Sequence, residues 1–204
     1  MLTLAIKSLK NRKFTTILTV VSIALSLTLL LGVERIRREA KASFTKTISG
    51  TDLIVGARTG PVQLLLYSVF RIGNATNNIS WQSYQEIARN PNVKWTIPIS
   101  LGDSHHGYRV MGTNADYFKH FRFAGGRRLE ISEGRIFKGV FDAVLGADVA
   151  KALGYRLEDA IIIAHGAGKV SFIKHDDKPF TVVGILKKTG TPVDQTVHVL
   201  LEGI

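Results

Sequence analysis

Between Phe14 and Val33 the chain runs for twenty residues, FTTILTVVSIALSLTLLLGV, without a charge. At about 1.5 Å rise per residue, a helix of that length crosses the roughly 30 Å hydrocarbon layer of a bilayer. The reading is one transmembrane helix over residues 14–33, which commits nearly all of the rest of the chain to one side of a membrane. Thr15, Thr19, Ser22 and Ser26 recur at helical spacing and form one small polar face. Such hydroxyls are tolerated in lipid because each bonds back to its own helix, and a face of them packs against a neighbouring helix in many membrane proteins.

A cleaved export signal is the rival reading. Its apolar core is usually about 7 to 15 residues and is followed at once by small residues. Here the run is longer and continues into Glu34-Arg35-Ile36-Arg37-Arg38-Glu39, a helix-favouring charged stretch with no Gly or Pro before Ser43. An uncleaved anchor with a helical extension over residues 34–50 is therefore expected. Lys7, Lys10, Arg12 and Lys13 precede the span, and Arg35, Arg37, Arg38 and Lys41 follow it, so basic residues alone leave orientation tied. A long following domain translocates largely regardless of its charge, which favours a cytoplasmic N-terminus. In residues 1–13, Leu2, Ile6 and Leu9 share a helical face away from the lysines, the pattern of a short amphipathic helix at the cytoplasmic interface.

The net charge of +11 is concentrated around this span: residues 1–46 carry nine basic side chains and two acidic ones. A nucleic-acid binder would show its basic stripe on the folded domain, whereas charge bracketing an apolar run signals contact with lipid headgroups, so no nucleic-acid partner is expected. The chain has no cysteine, which removes disulfides, thiolate metal sites and Cys nucleophiles.

After Ser43 the text changes to short strands and helices separated by Gly, Pro and Asn, giving an α+β fold: one N-terminal transmembrane helix, then a mixed α/β domain over residues 51–204. Asp52 to Ala57, Val93 to Ser100, Tyr108 to Thr113, Ala143 to Gly146, Ala160 to Ala164, Phe180 to Leu186 and Gln195 to Leu201 read as strands. Val62 to Ile72 is apolar on nearly every side. Ser80 caps a helix reaching Asn90, with Trp81, Tyr84 and Ile87 on one buried face. Asp116 to Phe121 is a helical turn anchored by Tyr117, Phe118 and Phe121. A helix from Ala147 to Leu153 ends at Gly154. A seam between two subdomains is placed near Gly125 to Gly134, where Gly and Arg cluster.

No catalytic, cofactor-binding or metal site is expected from the sequence, and it does not identify substrate-binding residues. His105-His106, His165 and His175-Asp176-Asp177 match neither a His-Glu-x-x-His helix nor an acidic calcium loop, and they read as exposed turn residues. Gly166-Ala167-Gly168-Lys169 is not a phosphate loop, since Ile163 stands where the first Gly belongs and Val170 follows the Lys. No Gly-x-Ser-x-Gly elbow occurs. Asn74-Ala75-Thr76 and Asn78-Ile79-Ser80 match glycosylation sequons, a pattern common by chance.

Several segments taken together resemble the MacB/FtsX-type permeases of bacterial ABC transporters, a family of macrolide-export, lipoprotein-release and cell-division permeases. Ala5 to Lys13 leading into a Thr/Ser-bearing span is similar to the family's start. SWQSYQEIARNPNVKWTIP (Ser80 to Pro98) resembles its helix, turn and strand ending in Pro, and YRVMGTNADYF (Tyr108 to Phe118) its strand followed by an aromatic turn. DAVLGADVAKALGY (Asp142 to Tyr155) and FTVVGILKKTG (Phe180 to Gly190) resemble its two most recognisable stretches, so the likeness covers most of the chain.

The resemblance implies a MacB-like periplasmic core domain set after the first transmembrane helix of a permease in the bacterial inner membrane. It further implies a C-terminal block of three helices that the chain lacks, so that the 204 residues are a fragment or a shortened product. It implies as partners a separate cytoplasmic ABC ATPase, a second permease copy, and a periplasmic adaptor or lipoprotein. The chain is then no enzyme and needs no cofactor. It couples ATP hydrolysis by its partner to motion of the extracytoplasmic domain, with Glu34 to Ser43 as a stiff lever. The alternatives are a single-pass anchored sensor or ligand-binding module, and a tethered hydrolase, which requires two of the His/Asp groups to converge in a pocket.

Overall fold

The computed structural model describes residues 11–74, 77–165 and 179–204. Helix α1, Lys13–Thr47, is a single helix of 35 residues. Among the described residues it is the one helix long and apolar enough to cross a membrane. The expected back-bonding of hydroxyls is present: Thr19 donates to the Thr15 carbonyl at 2.9 Å, Ser26 to Ser22 at 2.9 Å and Thr28 to Ala24 at 2.8 Å. Where the apolar run ends, Glu34 pairs with Arg37 and Arg38 one turn on, the spacing that supports a helix in water. The amphipathic helix expected in residues 1–13 falls, apart from its last three residues, outside the described residues.

Residues 44–204 form a compact unit of their own. It opens with two short helices. In α2, Pro61–Ser68, Pro61 supplies the fixed φ that a first helical turn accepts. Helix α3, Trp81–Ala88, is capped by Ser80, whose hydroxyl accepts from the Ser83 amide at 3.1 Å. Strands β1 (Ser100–His105) and β2 (Tyr108–Thr113) then form a hairpin. A short helix α4, Asp116–His120, and a ribbon of β3 (Arg122–Phe123) and β4 (Arg127–Arg128) lead to β5 (Ile131–Gly134). The remaining elements are β6 (Asp142–Leu145), α5 (Ala147–Leu153), β7 (Ala160–Ile161), β8 (Ala164–His165), β9 (Phe180–Leu186) and β10 (Thr196–Leu200).

These strands make a mixed sheet in the order β5-β9-β6-β10-β2-β1-β8, with β7 sharing the β5 side of β9. Pairs β10–β2 and β6–β9 are parallel, and the other pairs in this sheet are antiparallel. Both faces are covered, and the period-2 alternation of side chains divides the core in two. Met111, Val144 and Val183 pack with Tyr117, Phe118, Phe123 and Phe137 on one face. Val110, Ala143, Leu145, Val182, Val197 and Val199 pack on the other against Val149 and Ala150 of α5.

Several elements match the sequence expectation residue for residue. Helix α5 spans Ala147–Leu153 and ends at Gly154, whose φ of 72° is the left-handed cap that glycine supplies without strain. Strand β9 spans Phe180–Leu186, and Tyr117 and Phe118 anchor α4 in the core. Other expectations are corrected. Asp52 to Ala57 joins no sheet, and neither does Val93 to Ile99; the strand starts at Ser100 instead. Apolar text fits either a strand or an irregular segment until a partner's backbone is there to pair with it. Ala160 to Ala164 is two short strands, with Ile162 and Ile163 between them. Tyr84 and Ile87 are only half buried and Trp81 is 56% exposed, so the expected buried face of α3 has no fully buried residue. The Gly/Arg-rich stretch at 125–134 forms the turn and second strand of the β3–β4 ribbon and then β5 of the main sheet.

Candidate functional site

The chain between α1 and β1 lies largely outside the sheet, and it walls a cavity of about 510 Å³. The walls are mostly apolar: Leu53 and Val55 from the segment after α1, Leu64 and Tyr67 of α2, Ile87 of α3, and Ile97 before β1. Tyr117 and Phe121 close it from the side of the sheet. Segment 73–74 is tied to the sheet by Arg109 of β2, whose guanidinium donates to the Gly73 carbonyl and, at 3.0 Å, to Asn74 Oδ1.

Three charged residues line this cavity: Asp52, Arg71 and Lys94. Asp52 and Lys94 are exposed, and Arg71 is half buried. Arg71 follows α2 with φ of 60°, the left-handed region, which costs a residue with a Cβ about 1–2 kcal/mol. That backbone turn sends the guanidinium toward the sheet. Its Nη2 donates to Tyr117 Oη at 2.9 Å, and its Nη1 donates to Thr196 Oγ1 and to the Pro192 carbonyl at 3.4 Å. All three acceptors are neutral. The Nε–H is buried without a partner, and no ion pair joins Arg71 to a carboxylate among the described residues.

This charge acts on its neighbours. Burial raises the Tyr117 hydroxyl above the usual phenol range, although Arg71 pulls in the other direction. His198, on the central strand β10, is held well below the usual imidazole range, first by complete burial and then by the Arg71 charge, against the opposing bond to the Val144 carbonyl. Its Nδ1–H donates to that carbonyl at 3.1 Å, so the ring is the neutral Nδ1–H tautomer, and its Nε2 is buried without a partner.

Of the histidines singled out from sequence, His105 is corrected and His106 is where it was expected. His106 occupies the β1–β2 turn, exposed, with φ of 47°. His105 is only 4% exposed rather than a turn residue. Its Nδ1–H donates to the Ile162 carbonyl at 2.7 Å, so Nε2 accepts from the Tyr155 hydroxyl at 2.9 Å. Both ring nitrogens are used in holding β1 to the α5–β7 side of the unit, which leaves no lone pair for a metal. His165 lies in β8, and His175-Asp176-Asp177 and Gly166 to Lys169 lie outside the described residues. Among the described residues no group of three His, Cys, Asp or Glu is placed to hold a metal ion.

Arg71 carried a signal that reading the apolar run as a single block passed over. Between Leu53 and Gln85 there is no acidic residue, and the only charges are Arg58 and Arg71. A lone cation in an apolar run with no acid nearby has to find neutral acceptors or an external anion.

In comparison with known families, the one described as the MacB-like periplasmic core domain matches residues 16–201. No curated protein matches the chain.

Proposed function

The chain belongs to the MacB-like periplasmic core domain family, a family of ABC-transporter permeases, and on that premise we propose that it is a permease subunit whose extracytoplasmic domain is moved by a separate cytoplasmic ATPase. The observation that supports this reading is the unbroken course of α1, which leaves the apolar run and continues to Thr47. From Val33 to Thr47 there is neither Gly nor Pro. A helix without a break transmits displacement instead of absorbing it at a hinge. In this scheme the protein sits in the bacterial inner membrane with its N-terminus in the cytoplasm and residues 51–204 outside. One span encloses no path, so the reading requires other spans beside it, among them those of a second permease copy. A periplasmic adaptor or lipoprotein would meet the outer domain.

Two experiments test this. Affinity purification of the intact protein from membranes of its host is expected to bring a P-loop ATPase with it, and repeated purification without one would overturn the proposal. Orientation is tested with single cysteines, which the cysteine-free chain makes clean. A membrane-impermeant maleimide added to spheroplasts is expected to label Thr59→Cys and not Lys13→Cys, and the reverse result would invert the topology. The cavity around Arg71 favours a second reading, a single-pass anchored ligand-binding module, which a purified protein with ligand affinity but no ATPase would support.

A further inference from the structure

The geometry points to a binding site for a single-chain aliphatic carboxylic acid in the cavity beside α2, with the alkyl chain along the apolar walls and the carboxylate against Arg71 and Tyr117. Four observations converge on it. The volume of about 510 Å³ lies within the roughly 300–1,000 Å³ typical of small-ligand sites, and the surface of its walls is mainly apolar, interrupted by Thr, Ser and Asn side chains. On the side of the sheet, two hydrogen-bonding groups stand together, Arg71 and Tyr117. Arg71 presents a guanidinium that meets only neutral acceptors, and Tyr117 Oη already accepts from Arg71, so its own O–H remains free to donate. Burial keeps that hydroxyl protonated.

A half-buried guanidinium whose Nε–H is buried without a partner carries a desolvation cost, and that cost falls when an anion enters. Asp52 and Lys94, the other two charged residues of the wall, are exposed and of opposite sign, so the excess positive charge belongs to Arg71. Finally, Arg71 is held in left-handed backbone, and strain at a ligand-facing residue persists where the surrounding structure over-determines it. Two donors of this kind suit the two oxygens of a carboxylate, which charge-assisted hydrogen bonds recognise strongly. The proposal requires no ATPase, so its failure leaves the permease reading standing, and the converse holds too.

The test uses the full 204-residue chain in nanodiscs of zwitterionic lipid, which avoids competing detergent. The probes are 11-(dansylamino)undecanoic acid and its methyl ester, followed by dansyl fluorescence against empty nanodiscs. Saturable binding is expected, with the acid held about tenfold or more tighter than the ester, the size of effect that a charge-assisted pair supplies. Arg71→Gln is expected to remove that preference. Because Arg71 also bonds to Thr196 and Tyr117, a second variant is included: Val55→Asp, at a wall position 46% exposed, places an anion in the cavity with little demand on the fold. It is expected to weaken the acid more than the ester while the melting temperature stays put. Equal affinity for acid and ester, a signal no greater than that of empty nanodiscs, or undiminished preference in a folded Arg71→Gln protein would overturn the proposal. So would unchanged acid binding by Val55→Asp, or a dimer that excludes both probes from the cavity.

Discussion

Asp194 offers the sharpest test of how the domain is held together. It sits in the short 3₁₀ turn Pro192–Gln195 that delivers the chain into β10, and it is 1% exposed. Its Oδ1 accepts from the Thr189 amide and the Thr189 hydroxyl, both at 2.8 Å, and its Oδ2 accepts from the Gly190 amide at 2.7 Å. Gly190 has φ of 72°, so the carboxylate pins a turn that local preference does not specify by itself. Asp194→Ala leaves two amides without their acceptor, at about 1–3 kcal/mol for each that water cannot reach, while the Thr189 hydroxyl keeps Thr191 Oγ1 at 2.7 Å. Relief of the carboxylate's own burial offsets part of that, for a net loss of about 3 kcal/mol. In a unit of this size a loss of 1 kcal/mol lowers the melting temperature by about 2–4 °C, so a drop of about 6–12 °C is expected. The assay is thermal unfolding followed by the fluorescence of Trp81 and Trp95. A shift below about 2 °C, smaller than a single lost hydrogen bond would give, would refute the assignment of this carboxylate as the pin of the turn.

Gly184→Ala in β9 places a methyl 2.1 Å from the Arg135 carbonyl oxygen and is expected to cost about 1–3 kcal/mol in the same melt, whereas Gly102→Ala, with open space around it, is expected to change little. His105 and His198 both have pKa values lowered from about 6.5, so the unfolded chain takes up protons that the folded one refuses. Stability is therefore expected to fall as pH drops below about 6.5, and His198→Gln is expected to flatten that slope in melts between pH 7 and pH 5. If α1 carries force, replacing Ile36-Arg37 by Gly-Gly is expected to leave ATP hydrolysis by the partner intact. It should also abolish the ATP-dependent change in a fluorophore attached at Thr59→Cys, and a preserved change would count against the lever.

The parts of the molecule that sequence foretold are those whose chemistry is local. Twenty uncharged residues fix α1 whatever surrounds them, and Gly154 ends α5 because a left-handed cap is a property of one residue. Strand β9 reads as FTVVGIL because a strand buried on both faces needs apolar residues at nearly every position. Strand β1, SLGDSH, was illegible for the opposite reason. Its Ser104 and His105 are polar yet buried, and what makes this possible for His105 is a hydroxyl and a carbonyl from residues 155 and 162, distant in sequence. Asp52 to Ala57 shows the same dependence in reverse, as good strand text to which no edge was offered. Arg71 is legible only after the fold has brought Pro192 and Thr196 to it.

Strand β10 lies between β6 and β2, pairing Val197 with both Leu145 and Val110. The sheet is therefore closed at its middle by nearly the last residues of the unit. Without those residues β2 and β6 have no common neighbour, and the core layer that holds Val197 and Val199 loses its centre. Shortening the chain before Thr196 is therefore expected to yield a product open to proteases, not a smaller folded one.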